Sequence, residues 1–229
     1  MIHPNHYVEK VVSKTTEALL SPTILHQIST MKKADLHTLF SQIYFLVEAF
    51  PGFLAGILLQ TNDEAIRFAV IDNLVDECGG FEKLKAQDKR CTHSQLLKTF
   101  VEKLSPAATP QLGVQSAHTK VMLANFHQLF THSSLIEVLG AMTAMESASS
   151  AWFEFLYQQL RDRDEFSRED LYFFELHTMM DEKHGDAFRE VLMPLLTNSE
   201  SYAFFSNGAM KAANISINFY LGLSEEISV

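Results

Sequence analysis

The residues with the greatest chemical promise are His177, Asp181 and His184, in the stretch YFFELHTMMDEKHGDAF at 172–188. Separations of four and three residues place them within roughly 60° of arc on one face of a helix. Two imidazoles and a carboxylate on one face suit a first-row transition metal such as iron, manganese or zinc. A lone helical histidine is more often a surface residue or a hydrogen-bonded core residue, so the three are informative only as a set. Phe173, Phe174, Leu176, Met180 and Phe188 interleave with them, which points the set inward. One helix cannot complete a metal site, and other elements must supply further donors.

Two stretches offer carboxylates in a suitable setting. In AVIDNLVDECGG, Glu77 shares an apolar stripe with Ile66, Val70 and Leu74, whereas Asp72 and Asp76 lie off that stripe and read as solvated. Glu77 also sits at a helix C-terminus, where the dipole disfavours negative charge and a cation would offset it. The other reading of Glu77 is an ordinary last-turn carboxylate before the Gly79-Gly80 stop. In GAMTAMESASSAWF, Glu146 is the one charged residue between Glu137 and Glu154. A carboxylate in so apolar a helix is costly unless paired or metal-bound. Glu137 stands near a helix start, where the dipole favours it without a metal. His93 opens the next helix and is either a further imidazole donor or an exposed helix-start histidine.

The elements that must position these groups are helical. Periodic apolar residues predict helices over 4–19 and 34–50 and a third that runs through Ile66, Ala69, Val70 and Leu74 and stops at Gly79-Gly80, with a short helix reaching Ser29-Thr30. Pro51-Gly52 is expected to interrupt the second long helix before the run FLAGILLQ. Thr61 with Glu64 reads as a capping box for the helix that carries Glu77. Residues 80–91 read as a polar, lysine-rich loop, Thr92 as the cap of a helix over 94–104, and SPAATPQLG (105–113) as a break. Ser116 and Ser133/Ser134 should start the next two helices, the second running from Leu135 to about Leu160. Ser167 with Asp170 should cap the helix of the His–Asp–His set, bent near Pro194, and 198–229 should form a last helix. No stretch alternates with a two-residue period. The class is all-α, a helical bundle.

The bulk numbers agree with one helical domain spanning 1–229. Hydrophobic residues make up 47% and charged residues 20% of 229, as in ordinary globular chains. A net charge of −10 argues against nucleic acid or an acidic membrane surface as partner. No apolar run reaches the roughly 20 residues of a membrane span. MIHPNHYVEK has no apolar signal core, so a cytoplasmic location with Cys78 and Cys91 as free thiols is expected. Eighteen phenylalanines suggest an aromatic core or an apolar ligand cavity. Phe45, Phe50, Phe53, Phe173 and Phe174 could serve either.

The order NLVDECGG, a histidine opening the next helix, AMES, then His-x3-Asp-x2-His resembles the haem-oxygenase-like diiron oxidase and oxygenase family. QIYFLVEAFP (42–51) resembles that family's early helix, and the resemblance covers about residues 35–190. It implies a haem-oxygenase-like bundle of about seven core helices and a ligand set of Glu77, His93, Glu146, His177, Asp181 and His184. It further implies two iron ions, or an iron and manganese pair, with dioxygen as co-substrate. The 16 residues between Glu77 and His93 make a longer loop than in several members.

Members of the family oxygenate amines and guanidines, cleave amino or fatty acids to alkenes, or make p-aminobenzoate from one of their own residues. The last, Chlamydia-type branch carries a tyrosine before its second glutamate and a lysine soon after. Here Met145 precedes Glu146, residues 147–160 hold no lysine, and Thr23 stands where that branch has its sacrificed tyrosine. The self-sacrificing reaction is therefore not expected. What remains is an iron-dependent oxidoreductase acting on a small, unidentified organic substrate. Tyr44 and Tyr172 are candidate electron or proton donors, or core aromatics. An external reductant and a homodimer are compatible partners. Two other functions suit the same fold: a thiaminase-like or cofactorless enzyme, with Cys78 as candidate nucleophile, and an interaction module with a structural metal. The histidines must be neutral to ligate, so metal binding should weaken below about pH 6.

Overall fold

A computed structural model of the chain describes residues 4–87, 89–105 and 112–227, without the side chains of Phe81, Leu84, Lys89, Met179, Asp181 and Glu182. Among the described residues the secondary structure is helical, with no strand. The helices are α1 (Pro4–Leu20), α2 (Thr23–His26), α3 (Lys33–Leu58), α4 (Glu64–Glu77), α5 (Phe81–Lys85), α6 (His93–Leu104), α7 (Ala117–His132), α8 (Leu135–Arg161), α9 (Tyr172–Leu192) and α10 (Ser199–Glu226). Short 3-10 turns at Lys89–Cys91 and Met193–Leu195 complete the set.

Capping explains most of the boundaries. The Thr92 side chain accepts from the Gln95 N–H and starts α6, and Ser116 does the same for α7 through Thr119. Ser134 and Glu137 form a reciprocal capping box at the start of α8. Four expectations are corrected. Asp63, not Thr61, caps α4, accepting from the Ala65 and Ile66 N–H groups, while the Thr61 hydroxyl accepts from the Asp63 N–H. Ser167 and Asp170 do bond reciprocally, but they close a turn, and α9 begins only at Tyr172. The stretch after Gly80 folds into α5 rather than an open loop. Residues 106–111 of the expected break lie outside the described residues.

The fourth correction is Pro51, which sits inside α3 without ending it. A proline inside a helix removes one hydrogen bond and crowds the preceding turn, at a cost of about 3 kcal/mol. Burial beyond it offsets that cost. Phe53, Leu54 and Ile57 are all buried, and the Phe53 ring stacks on Phe130 with centroids 5.3 Å apart. By length and composition α3 could cross a membrane, contrary to the expectation from the sequence. In the fold its Leu36, Leu39, Phe40 and Leu54 are fully buried among the other helices.

The core sits where α8 packs against α9, α10 and α1, and where α3 packs against α4, α6 and α7. Phe40, Phe100 and Phe174 meet edge to face at 5.0–5.4 Å between centroids, joining α3, α6 and α9. Helices α4 and α9 also contact each other. The donors described next project between α4, α6, α8 and α9.

Candidate metal centre

Four helices bring the candidate donors together. Near the C-terminus of α4, Asn73, Asp76 and Glu77 stand at i, i+3 and i+4 and so share a face. The helix stops at once because Gly79 and Gly80 take φ of 89° and 88°. Gly79 also meets the returning chain, since a Cβ there would lie 2.5 Å from the Cys91 carbonyl oxygen. That contact closes the excursion between Glu77 and His93. His93 then starts α6 with only 1% of its surface exposed, which removes the exposed reading of this residue. Its Nδ1 lies 3.1 Å from Glu77 Oε1.

Helix α9 supplies His177 and His184. One donor atom each from Glu77, His93 and His177 all lie within 4.8 Å of one another. The His93 and His177 rings stand edge to face at 4.4 Å. His177 Nδ1–H donates to the Phe173 carbonyl at 2.7 Å, which leaves Nε2 free. Phe153 and Phe173 pack on its ring at 4.1 and 4.3 Å. Burial, with His93 and His184 nearby, pushes its pKa well below the usual histidine value, so the ring stays neutral and able to ligate.

His184 faces α4 and α8 together. Its Nε2 lies 3.0 Å from Asp76 Oδ2, and its Nδ1 lies 3.8 Å from Glu146 Oε2. Asp76, read from the sequence as solvated, is thus a member of the site. The apolar stripe of α4 marks only one of its two packed faces, since α3 covers one and α9 another. The i, i+3, i+4 spacing of Asn73, Asp76 and Glu77 was the signal that could have found it. Asp72 does face outward and pairs with exposed Lys183 at 3.0 Å.

Glu146 is buried, and its Oε1 accepts from Asn73 Nδ2 at 2.7 Å. Burial above all, with Glu77 adding to it, raises its pKa to about 8, against the opposing hydrogen bond from Asn73. Helix α9 comes close enough because residue 185 is glycine: a Cβ there would lie 2.6 Å from Ser147 Oγ and 3.0 Å from Ser147 Cα. The backbone of Asp181 lies in α9, but its side chain is outside the described residues.

The arrangement fits a metal. Nε2 of buried His93 has no hydrogen-bond partner, and Nδ1 has only the Glu77 carboxylate at 3.1 Å without a hydrogen bond being formed, a state that costs free energy unless a cation takes a lone pair. The 3.8 Å between His184 Nδ1 and Glu146 Oε2 is too long for a hydrogen bond, yet two bonds of about 2.1 Å to a shared ion would span it. The Asp76 carboxylate opposite Nε2 is the usual way in which a ligating histidine is oriented.

A cavity of about 110 Å³ adjoins these groups. Glu77, Glu146 and His177 form one wall, and Ile43, Leu46, Val47, Phe50, Met145, Trp152 and Phe153 supply the apolar lining. Phe50 therefore lines the cavity, whereas Phe53, Phe173 and Phe174 are core. Tyr44 is buried and its hydroxyl donates to Glu48 at 2.7 Å; burial and that carboxylate push its pKa up. Tyr172 is 48% exposed and lines a surface recess with Leu96, Lys103 and Glu169. It lies five residues before His177, about 140° round the helix.

The profile of a family described as iron-containing redox enzymes matches residues 37–216 of the 229. The chain belongs to this family. It is also 23% identical over 192 residues to 4-chloro-allylglycine synthase of Streptantibioticus cattleyicolor, covering 83% of this chain and 71% of the relative. Among solved structures it is similar to a CADD-like protein of unknown function from Nostoc punctiforme, with a TM-score of 0.79 at 16% identity over 99% of each chain. A domain with a haem-oxygenase-like fold from Shewanella denitrificans gives a TM-score of 0.77 at 12% identity, covering 100% of this chain and 94% of the other. The fold of this iron-containing redox enzyme family member is haem-oxygenase-like, as the motif order implied.

Proposed function

We propose that residues 1–229 act as one dimetal oxidase or oxygenase unit that uses dioxygen on a small organic substrate. The observation that carries this reading is the convergence of Glu77, His93 and His177 beside the Glu146–His184 pair. Glu77, His93 and His177 would hold one ion. Glu146 and His184, with Asp181, would hold a second. When bound, an iron pair supplies reduction of dioxygen and the oxidising power for hydrogen abstraction or oxygen transfer. Electrons would come from the substrate or from an external reductant.

The chain's own residues set the conditions for that chemistry. The Phe173 carbonyl fixes the ring and tautomer of His177, and Asp76 does the same for His184. Asn73 holds one Glu146 oxygen and leaves the other toward His184. Phe153 and Phe173 keep water from the His177 side, and the adjoining cavity seats the substrate against Glu77 and Glu146. The thiaminase-like alternative gains no support from Cys78, which caps the C-terminus of α4 and is not among the residues lining the cavity.

The test is anaerobic loading with ferrous iron. Two equivalents bound per chain, with an absorbance change on admission of oxygen, is the expected result. Glu146→Ala should lose at least one equivalent. Absence of metal uptake by the native chain would end the proposal.

A further inference from the structure

We propose that Tyr220 is a substrate-recognition residue, its hydroxyl donating a hydrogen bond to an uncharged, largely apolar substrate group that carries one acceptor. The proposal deepens the reading above and rests on the cavity being where substrate sits. Tyr220 lies on α10, beyond residues 37–216 that the family profile matches, so its role is a matter of this chain's own geometry.

Apart from the metal-ligand candidates and the indole N–H of Trp152, the polar inventory of the cavity comes down to two serines and Tyr220. Ser149 and Ser216 also line the cavity, but each spends its proton on its own helix, on the Met145 carbonyl at 2.8 Å and the Ala212 carbonyl at 3.2 Å. Both therefore face the cavity as acceptors. Tyr220 lines the cavity with 4% of its surface exposed, and burial is the one influence on its hydroxyl, with no hydrogen bond or charge acting on it among the described residues. A hydroxyl at the wall of a largely apolar cavity, with no protein partner, marks a place for a ligand atom. Burial pushes its pKa up, so it keeps its proton and has a hydrogen bond to donate. Trp152 and Phe219 hold the ring, with centroids 6.2 and 5.0 Å away.

Charge and size narrow the occupant. No lysine or arginine is among the lining residues, so away from the metal-ligand candidates Glu77 and Glu146 no cationic side chain is there to pair with an anion. A pocket of about 150 Å³ takes benzene. The 110 Å³ here suits a group no larger than that. A charged end of a larger substrate would have to project out of this cavity.

Trp152 is the one tryptophan of the chain and lines the cavity, so its fluorescence reports occupancy. The full chain, metal-free and ferrous-loaded, is titrated with cyclopentanone and with methylenecyclopentane, which replaces the acceptor oxygen by CH₂. The native protein should bind the ketone about five- to tenfold more tightly, the ratio expected of one neutral hydrogen bond. Tyr220→Phe should abolish that preference by weakening the ketone alone. Tyr202→Phe, on the same helix but packed edge to face against Tyr7, should keep it. A preference that survives Tyr220→Phe, or no response of Trp152 to either probe, overturns the proposal. Failure of ferrous loading would instead strike at the redox reading, and the probe titration of the metal-free chain does not depend on it.

Discussion

His184 shows how one side chain can be settled on one nitrogen and open on the other. With Asp76 accepting at Nε2, Nδ1 is left toward Glu146. Asp76→Asn would keep the shape and remove the charge that orients the ring. It should weaken the binding of the metal served by His184 by about 10- to 100-fold, measured by competition with a chelator. Unchanged affinity would show that Asp76 is a bystander. His177, His184, Glu77, Glu146 and His93 were legible in the sequence because each stands out against apolar neighbours or falls into a motif order. Asp76 was not, since in a helix packed on two sides the apolar stripe reveals one face and the polar contacts of the other pass for solvent exposure.

At the scale of elements, the approach of α9 to α8 is the dimension on which the site depends. Gly185 sets it, because a methyl group there would meet the Ser147 backbone and hydroxyl. Gly185→Ala should destabilise the metal-free protein by about 1–3 kcal/mol, as overpacking does. It should also lower metal affinity by moving His184 off Glu146. Urea unfolding and metal titration together check this, and a variant that melts lower yet binds metal as before would refute the link. The sequence revealed the helices themselves through their periodicity and most of their caps. It misled at Pro51, where a local rule for breaking helices met a strongly buried segment, and at Thr61, where Asp63 lies closer to the orphan N–H groups and takes them.

Across the whole molecule, the outer helices are tied by a few long-range polar contacts. Arg163 donates to the carbonyls of Ile28, Ser29 and Met31 and holds the chain after α8 against the end of α2. Lys211 on α10 reaches Glu137 at the start of α8 at 2.9 Å. Burial opposes ionisation of Glu137, but Lys211 and Ser134 outweigh it and lower its pKa. A carboxylate lowered in the folded state contributes stability that is present above its unfolded value of about 4.5 and is lost as pH falls through the folded one. Lys211→Met should therefore cost stability at pH 7 and much less at pH 3. With 53% of the lysine side chain exposed, the loss should be at most about 1 kcal/mol. Urea titrations at the two pH values measure it, and an equal loss at both would point to packing of the lysine stem instead. The bundle as a whole was readable from the order of motifs, whereas pairings between residues 74 or more apart were not, because nothing local encodes them.

The meeting of Gly79 with Cys91 has a consequence for how this chain can be varied. The two candidate donors that flank it are set by the close approach at the neck of the excursion. Residues inserted after the exposed Ala86, as a handle for a dye or an affinity peptide, should therefore leave Glu77 and His93 where they stand.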